Sequence, residues 1–417
     1  MTAWVAPTPG RPVTGEVIVP GSKSATARAL VLASLASGES VLTGVLDARD
    51  ASLMRRALEG LGVTFADEAP GRLRVRPPAR FTAARVDVGL SGTVMRFLPP
   101  VAALARGRSE FHGDAEASAR PVAPLLDALR QVGVRVEGDA LPFAVEGTGH
   151  VPGGRSELDS SASSQFVSAL LMSGARFDEG LTIVHQGPPI PSRPYLSMTA
   201  AMLRDRGARI DTPDADTWVV APGPLAPRDE AIEPDLINAT AFLCAALATG
   251  GRVEMAWPEH TLQDADGILA ALAAFGARIE RTPGHVAVSG AGVRAADVDL
   301  RDVSELTCVL AAVACLADGP SRLRGVGHIR GHETDRLAAL ATELTARGAD
   351  VRQTADGLAI VPGPLRGGRF ATYADHRMAH AAAVLGLATA GVQLDDVDCT
   401  TKTMPDFPGL WTALVAR

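Results

Sequence analysis

Six short stretches of this chain set hydroxyls, cations or carboxylates immediately before an apolar, Ala-rich run. The first, Gly21-Ser22-Lys23-Ser24-Ala25-Thr26-Ala27-Arg28, lies between Pro20 and Ala29-Leu30-Val31-Leu32-Ala33. Pro and Gly stop a strand, Ser and Thr cap helices, and the apolar run reads as a buried helix. A helix start offers unpaired N–H groups and a positive dipole end, which suit a phosphate or carboxylate. The plainer reading is an ordinary cap, and the spacing of a Walker loop is absent. The other five starts carry Gly92, Thr93 and Arg96; Ser163, Ser164 and Gln165; Asp235 and Asn238; Ser304 and Glu305; and Asp375, His376 and Arg377. Loop cations add to them: Arg120 before Pro121, Arg193 near Ser192 and Tyr195, Arg336 in His332-Glu333-Thr334-Asp335-Arg336, and Lys402. Arginine forks and lysine point charges grip anions. A mere anion trap gains nothing from Glu305 and Glu333, so these carboxylates point to proton transfer. Taken singly, Glu333 and Arg336 are also an i,i+3 surface pair, Asp375 an N-cap and Tyr195 a packing residue.

A repeat positions these groups. Gly62, Gly133, Gly207, Gly276 and Gly348 each follow a helical pattern and precede a strand, at spacings of 71, 74, 69 and 72 residues. They read as left-handed C-caps. A second series, Gly38, Gly107, Gly180, Gly251, Gly319 and Gly391, closes the runs that begin at the six polar starts, with steps of 69, 73, 71, 68 and 72. Six units of helix, strand, helix and strand fit a six-fold propeller or two domains of three. The Pro-rich segment Ala221–Pro227 favours three plus three. The sixth unit is cut short by the C-terminus, and a strand around Glu16–Val19 is expected to complete it. The expected domains are therefore residues 1–20 with 234–417, and residues 21–233. Equivalent units would bring three helix starts to one surface of each domain, with the two surfaces facing a cleft that closes on a multiply anionic ligand.

The chain of 417 residues has 47% hydrophobic and 21% charged residues, as globular proteins do, and a net charge of −7 that argues against nucleic acid or anionic membrane as partner. Cys244, Cys308, Cys315 and Cys399 lack metal-site spacing, and three lie in or beside apolar runs, as buried thiols of a reducing compartment would. No secretory signal and no apolar run approaching 18 residues is present, so a cytoplasmic location is expected.

The segments Pro20-Gly21-Ser22-Lys23-Ser24 with Arg28, Ser91-Gly92-Thr93-Val94-Met95-Arg96, Arg120-Pro121, Ser163-Ser164-Gln165-Phe166, Ser192-Arg193-Pro194-Tyr195, Glu333-Thr334-Asp335-Arg336-Leu337, Asp375-His376-Arg377-Met378-Ala379 and Lys402-Thr403-Met404-Pro405-Asp406 resemble the enolpyruvyl transferase family. They fall in family order over nearly the whole chain and are most similar to its branch acting on shikimate 3-phosphate. The resemblance implies an α/β fold of two similar domains, each of three βαβαββ units with helices inside (an inside-out α/β barrel). It implies transfer of the enolpyruvyl group of phosphoenolpyruvate to the 5-hydroxyl of shikimate 3-phosphate with release of phosphate, on the route to chorismate and the aromatic amino acids. It places Lys23, Ser24, Arg28, Ser163, Ser164, Gln165, Ser192, Glu305 and His332 around shikimate 3-phosphate. Lys23, Gly92, Thr93, Arg120, Gln165, Arg336, Arg377 and Lys402 would surround phosphoenolpyruvate. Glu305 would be the general base, and Glu333, Lys23 or Glu305 would protonate the methylene. No metal or organic cofactor and a monomer are implied, as is a phosphoenolpyruvate pocket at Gly92 that also admits glyphosate.

Three positions depart from the family pattern. Glu305 replaces the usual Asp. His332 replaces the usual Lys, which makes a permanent cation titratable and predicts a different pH profile. Leu90-Ser91 stands where an Asn often precedes Gly-Thr. The sister branch acting on UDP-N-acetylglucosamine usually carries a reactive Cys before the Arg-Pro, and none lies in His112–Ala119; its Lys-Asn is Lys23-Ser24 here. A non-catalytic binder of phosphorylated metabolites would keep the cations without needing the acids.

Overall fold

The computed structural model describes residues 4–416. The chain divides into two compact units, Gly21–Glu233 (the N-terminal unit) and the residues up to Pro20 together with those from Pro234 on (the C-terminal unit).

Each unit is built on three helices buried on all sides. They are Lys23–Leu35, Gly92–Ala102 and Gln165–Gly174 in the N-terminal unit, and Leu236–Thr249, Thr307–Ala314 and His376–Gly386 in the C-terminal unit. Their sequences are apolar all round rather than striped, as an interior helix requires. Within each unit the three touch one another, and small residues such as Ala29, Ala33, Ala311 and Ala382 allow the close approach. These six helices begin at the six polar starts.

Sheets enclose them. Residues 85–148 show the unit: strand Arg85–Asp87, helix Gly92–Ala102, strand Arg106–His112, helix Ala123–Gln131, then strands Arg135–Glu137 and Phe143–Thr148. The first two strands are parallel, with Val86 opposite Phe111, and the remaining pairings are antiparallel. The same βαβαββ order recurs around the chain, giving five four-stranded sheets and one of three strands among the described residues. The outer helix of each of the first five units ends alike. Gly62, Gly133, Gly207, Gly276 and Gly348 have φ of 100°, 86°, 83°, 96° and 111°. The residue after each donates its N–H back to Leu58, Leu129, Leu203, Leu272 and Leu344, the bond of a Schellman cap.

The strands that begin the first and fourth units are exchanged. Glu230–Ala231 runs straight on toward the Leu236 helix, yet it pairs in parallel with Ser40–Thr43 in the first unit's sheet. The fourth unit's sheet takes Thr14–Val17 instead, parallel to Arg252–Ala256. This corrects the expectation that the strand around Glu16–Val19 completes the sixth unit. That sheet needs a strand antiparallel to Val392–Leu394 after the helix Phe407–Val415, and Trp4–Val5 provides it.

Candidate active site

In the N-terminal unit the helix starts are tied together by arginines. Ser22 caps the Lys23 helix by accepting from the Ala25 N–H at 3.3 Å. Arg28, one turn further on, is 2% exposed. Its Nε donates to Thr199 Oγ1 at 2.7 Å, Nη1 to the Ser24 carbonyl at 3.0 Å, and Nη2 to Ser168 Oγ at 3.2 Å and the Tyr195 carbonyl at 3.4 Å. The Phe97 and Tyr195 rings flank the guanidinium at 5.2 and 5.4 Å. Burial pulls its pKa down to about 10, which still leaves a cation at neutral pH. Four of its five N–H groups are therefore spent on holding the Lys23 and Gln165 helices and the Pro194–Arg204 helix together.

Arg120 lies across the start of the Gly92 helix, its Nη1 donating to the Leu90 carbonyl at 3.0 Å. The backbone of Leu90 thus makes the contact here, while Ser91 caps the helix through the Val94 N–H. A Cβ on Gly92 would stand 2.6 Å from Arg120 Nη2. Arg96 reaches the Pro121 carbonyl, Ser163 and Gln165. The Ser163 loop is held from behind by Ser160, whose N–H donates to His185 Nδ1 at 3.1 Å and whose hydroxyl donates to the Ser163 carbonyl at 2.6 Å. Ser192 sits at φ 53°, a strained position for a residue with a side chain. Its neighbour Arg193 turns away to Asp216, 2.5 Å distant.

The C-terminal unit gathers its charges around Arg336, which is 1% exposed. Nε and Nη2 grip Asp375 at 2.8 and 3.2 Å; Nη1 donates to Glu305 at 3.1 Å and His332 Nδ1 at 2.9 Å; Nη2 also donates to Glu333 at 2.9 Å. All five N–H groups are engaged. Arg377 Nε lies 2.8 Å from Glu305 Oε2, an ion pair without hydrogen-bond alignment, and Lys402 Nζ donates to Glu333 Oε1 at 2.5 Å. Three carboxylates and three cations thus share one cluster. Burial depresses the Arg336 pKa, but Asp375, Glu333 and Glu305 outweigh it and hold the guanidinium firmly charged. The Thr307 helix follows the single turn Ser304–Leu306 that presents Glu305. Asp375, read from sequence as a cap, does cap the His376 helix through the Arg377 N–H at 2.9 Å while gripping Arg336. At the fourth start Asp235 accepts from the N–H and the side-chain amide of Asn238, a structural cap.

His332 departs from expectation. Burial, reinforced by Arg336, drives its pKa well below the ordinary value. It is a neutral acceptor for Arg336, not a titrating cation in place of lysine, so no new ionisation near neutrality comes from it. His328, one turn earlier, escaped the sequence reading although its i,i+4 spacing to His332 was a signal. Its Nε2 lies 2.9 Å from Ser304 Oγ.

The sequence profile of the EPSP synthase (3-phosphoshikimate 1-carboxyvinyltransferase) family matches residues 7–411. A 3-phosphoshikimate 1-carboxyvinyltransferase of Mycobacterium ulcerans (strain Agy99) is 51% identical over 423 residues, covering 99% of this chain and 97% of the relative. The chain belongs to the EPSP synthase family. A solved EPSP synthase from Acinetobacter baumannii superposes with a TM-score of 0.81 at 23% identity, covering 99% of this chain and 97% of the other. The enolpyruvyl transferase NikO from Streptomyces tendae gives 0.78 at 21%, covering 98% and 97%. At those identities the likeness is one of fold, and it is the EPSP synthase fold of two α/β domains. Among the described residues no group of three or more His, Cys, Asp or Glu is placed to hold a metal, and no helix is long and apolar enough to cross a membrane.

Substitutions at Gly92 and at His380 should each leave a measurable signature. In Gly92→Ala the new methyl pushes the Arg120 guanidinium off its seat at the Leu90 carbonyl. With Arg120 gripping phosphoenolpyruvate, as the family resemblance implies, losing that charge-assisted contact should raise the KM for phosphoenolpyruvate roughly ten- to hundredfold, with little change in melting temperature. An unchanged KM would detach Arg120 from that substrate. The second concerns stability. Burial pushes His328 down to about 4 and His380 to about 3. Unfolding raises both to ordinary values and takes up protons, so their contribution is complete above about pH 6.5 and is lost as pH falls toward 4. His380→Phe should flatten the fall in melting temperature over that window, and a parallel curve would contradict the assignment.

Proposed function

We infer that this chain transfers the enolpyruvyl group of phosphoenolpyruvate to the 5-hydroxyl of shikimate 3-phosphate and releases inorganic phosphate, in the shikimate pathway. The observation that carries its chemistry is the position of Glu305, a carboxylate set between Arg336 and Arg377 at a helix start.

In the reading we favour, Lys23, Ser24, Arg28, Ser163, Ser164, Gln165, Ser192, Glu305 and His332 hold shikimate 3-phosphate. Lys23, Gly92, Thr93, Arg120, Gln165, Arg336, Arg377 and Lys402 serve phosphoenolpyruvate. Arg28 acts through its one remaining N–H. Arg336 has no donor to spare, so phosphoenolpyruvate can reach it only by replacing Glu305, Glu333 or His332 as an acceptor. The reaction begins as the 5-hydroxyl oxygen bonds to C2 of phosphoenolpyruvate and gives its proton to Glu305. Arg336 and Arg377 both engage Glu305 Oε2 and fix the orientation of the carboxylate. An acid protonates C3, forming a tetrahedral ketal phosphate. Loss of a C3 proton and departure of phosphate, stabilised by the cations, restore the double bond. Glu333 accepts from Lys402 and Arg336 through both of its oxygens, an arrangement that favours Lys23 or protonated Glu305 as the proton donor. The reading extends to a cytoplasmic monomer, to which the buried thiols of Cys244, Cys308 and Cys315 are suited.

Incubation with both substrates should release one phosphate per product, and neither substrate alone should release any. Phosphate release with UDP-N-acetylglucosamine in place of shikimate 3-phosphate would overturn the reading.

A further inference from the structure

Arg96 has no part in the substrate contacts above, yet its buried guanidinium makes four hydrogen bonds. It is 3% exposed and lies over the Phe166 ring at 5.3 Å. Nε and Nη2 both donate to the Pro121 carbonyl, at 3.2 and 3.0 Å. Nη1 donates to Gln165 Oε1 at 2.9 Å and to Ser163 Oγ at 3.4 Å. One side chain therefore links the Arg120-Pro121 segment to the Ser163–Gln165 segment.

We propose that Arg96 is a positioning residue that fixes the Gln165 carboxamide with its oxygen held inward and its NH2 presented to the substrate. Two facts carry this. Guanidinium has only donors, so the end of the amide lying on Arg96 must be the oxygen, and the amide has no freedom to flip. Gln165 is also the first residue of its helix, and its backbone N–H donates to Ser163 Oγ at 3.3 Å, so backbone and side-chain oxygen are both anchored to the Ser163–Arg96 pair. Phosphate and carboxylate oxygens accept only, so a carboxamide locked as a donor matches them, and the reversed amide would set oxygen against oxygen. The inference rests on the reading that Gln165 touches substrate, and the test separates the two.

The test measures kcat, the KM for phosphoenolpyruvate and the melting temperature for Gln165→Ala, Arg96→Lys and the double variant. Gln165→Ala should raise KM roughly ten- to hundredfold. Lysine keeps the charge but cannot reproduce the fork, so Arg96→Lys should raise KM by a comparable factor with kcat nearly unchanged. The double variant should be no worse than Gln165→Ala, because Arg96 acts through a side chain that is gone. Effects that multiply would overturn the positioning role while leaving Gln165 a substrate ligand. A normal KM in Gln165→Ala would instead remove Gln165 from the site and the proposal with it. If Arg96→Lys fails to fold, Gln165→Glu decides. It keeps an oxygen on Arg96 and so the melting temperature, but turns the outward donor into an acceptor. KM should rise at least as far as in Gln165→Ala, and an unchanged KM would refute the proposal.

Discussion

Glu305→Gln is expected to lower turnover roughly 10²- to 10⁴-fold, the usual contribution of a positioned general base. The substitution is close to isosteric. A glutamine oxygen can still accept from Arg336 Nη1, now 3.1 Å from Glu305 Oε2, and the amide nitrogen can take the side toward His332 Nδ1, 4.0 Å from Oε1. The fold should hold. The charge balance shifts, because Glu305, Glu333 and Asp375 face Arg336, Arg377 and Lys402, and the variant leaves one net positive charge. An anionic substrate gains from that surplus, so the KM for phosphoenolpyruvate should stay level or fall while kcat collapses. Steady-state phosphate release together with calorimetric binding reads both. Turnover near that of the parent would take the base role from Glu305. A loss of binding with kcat retained would make it a ligand for substrate and nothing more.

Local chemistry was legible in the sequence wherever it lies along one stretch of chain. The glycines at 62, 133, 207, 276 and 348 announce helix ends because no other residue takes that backbone conformation at so little cost. The six polar starts announce the six buried helices for a similar reason: a cap and an apolar run are neighbours in sequence. Strand exchange left no such mark. Trp4–Val5 and Glu230–Ala231 are two residues each, too short for an alternating pattern, and their partners lie nearly 400 and 190 positions away. The electrostatics of the Arg336 cluster were hidden in the same way. Sequence shows Glu333 three residues before Arg336, an ordinary surface pair. Only burial beside Glu305, 31 positions before Arg336 in the same repeat, and Asp375, from the next repeat, makes it an interior network and turns His332 into a neutral acceptor. Composition cannot report desolvation.

That network makes Asp375→Ala the largest expected loss of stability. Asp375 is fully buried and does two tasks, gripping Arg336 through both oxygens and capping the His376 helix. It follows two residues in the left-handed region, Tyr373 at φ 55° and Ala374 at φ 54°, a conformation that costs on the order of 1–3 kcal/mol per residue. The turn is braced on both flanks. Thr372 donates its N–H and hydroxyl to Asp395 at 2.9 and 3.0 Å, and the Tyr373 hydroxyl donates to Glu343 at 3.0 Å. Strain held so firmly has a purpose in placing the carboxylate. Alanine there strips two of five hydrogen bonds from an interior guanidinium, and breaking a buried pair costs about 3–5 kcal/mol. That is a large share of the roughly 5–15 kcal/mol that holds a typical domain together. Asp375→Asn keeps a single oxygen that can still accept from both Arg336 Nη2 and the Arg377 N–H, as Oδ1 does now, and should cost clearly less. Denaturant unfolding of both variants, followed through the transition that exposes Trp411 of the C-terminal unit, ranks them. A loss below about 1 kcal/mol in Asp375→Ala, the size of an ordinary cap, would show that Glu305 and Glu333 hold Arg336 without help. The larger loss would mean that the arginine proposed to receive phosphoenolpyruvate owes its place to a carboxylate that substrate never has to displace.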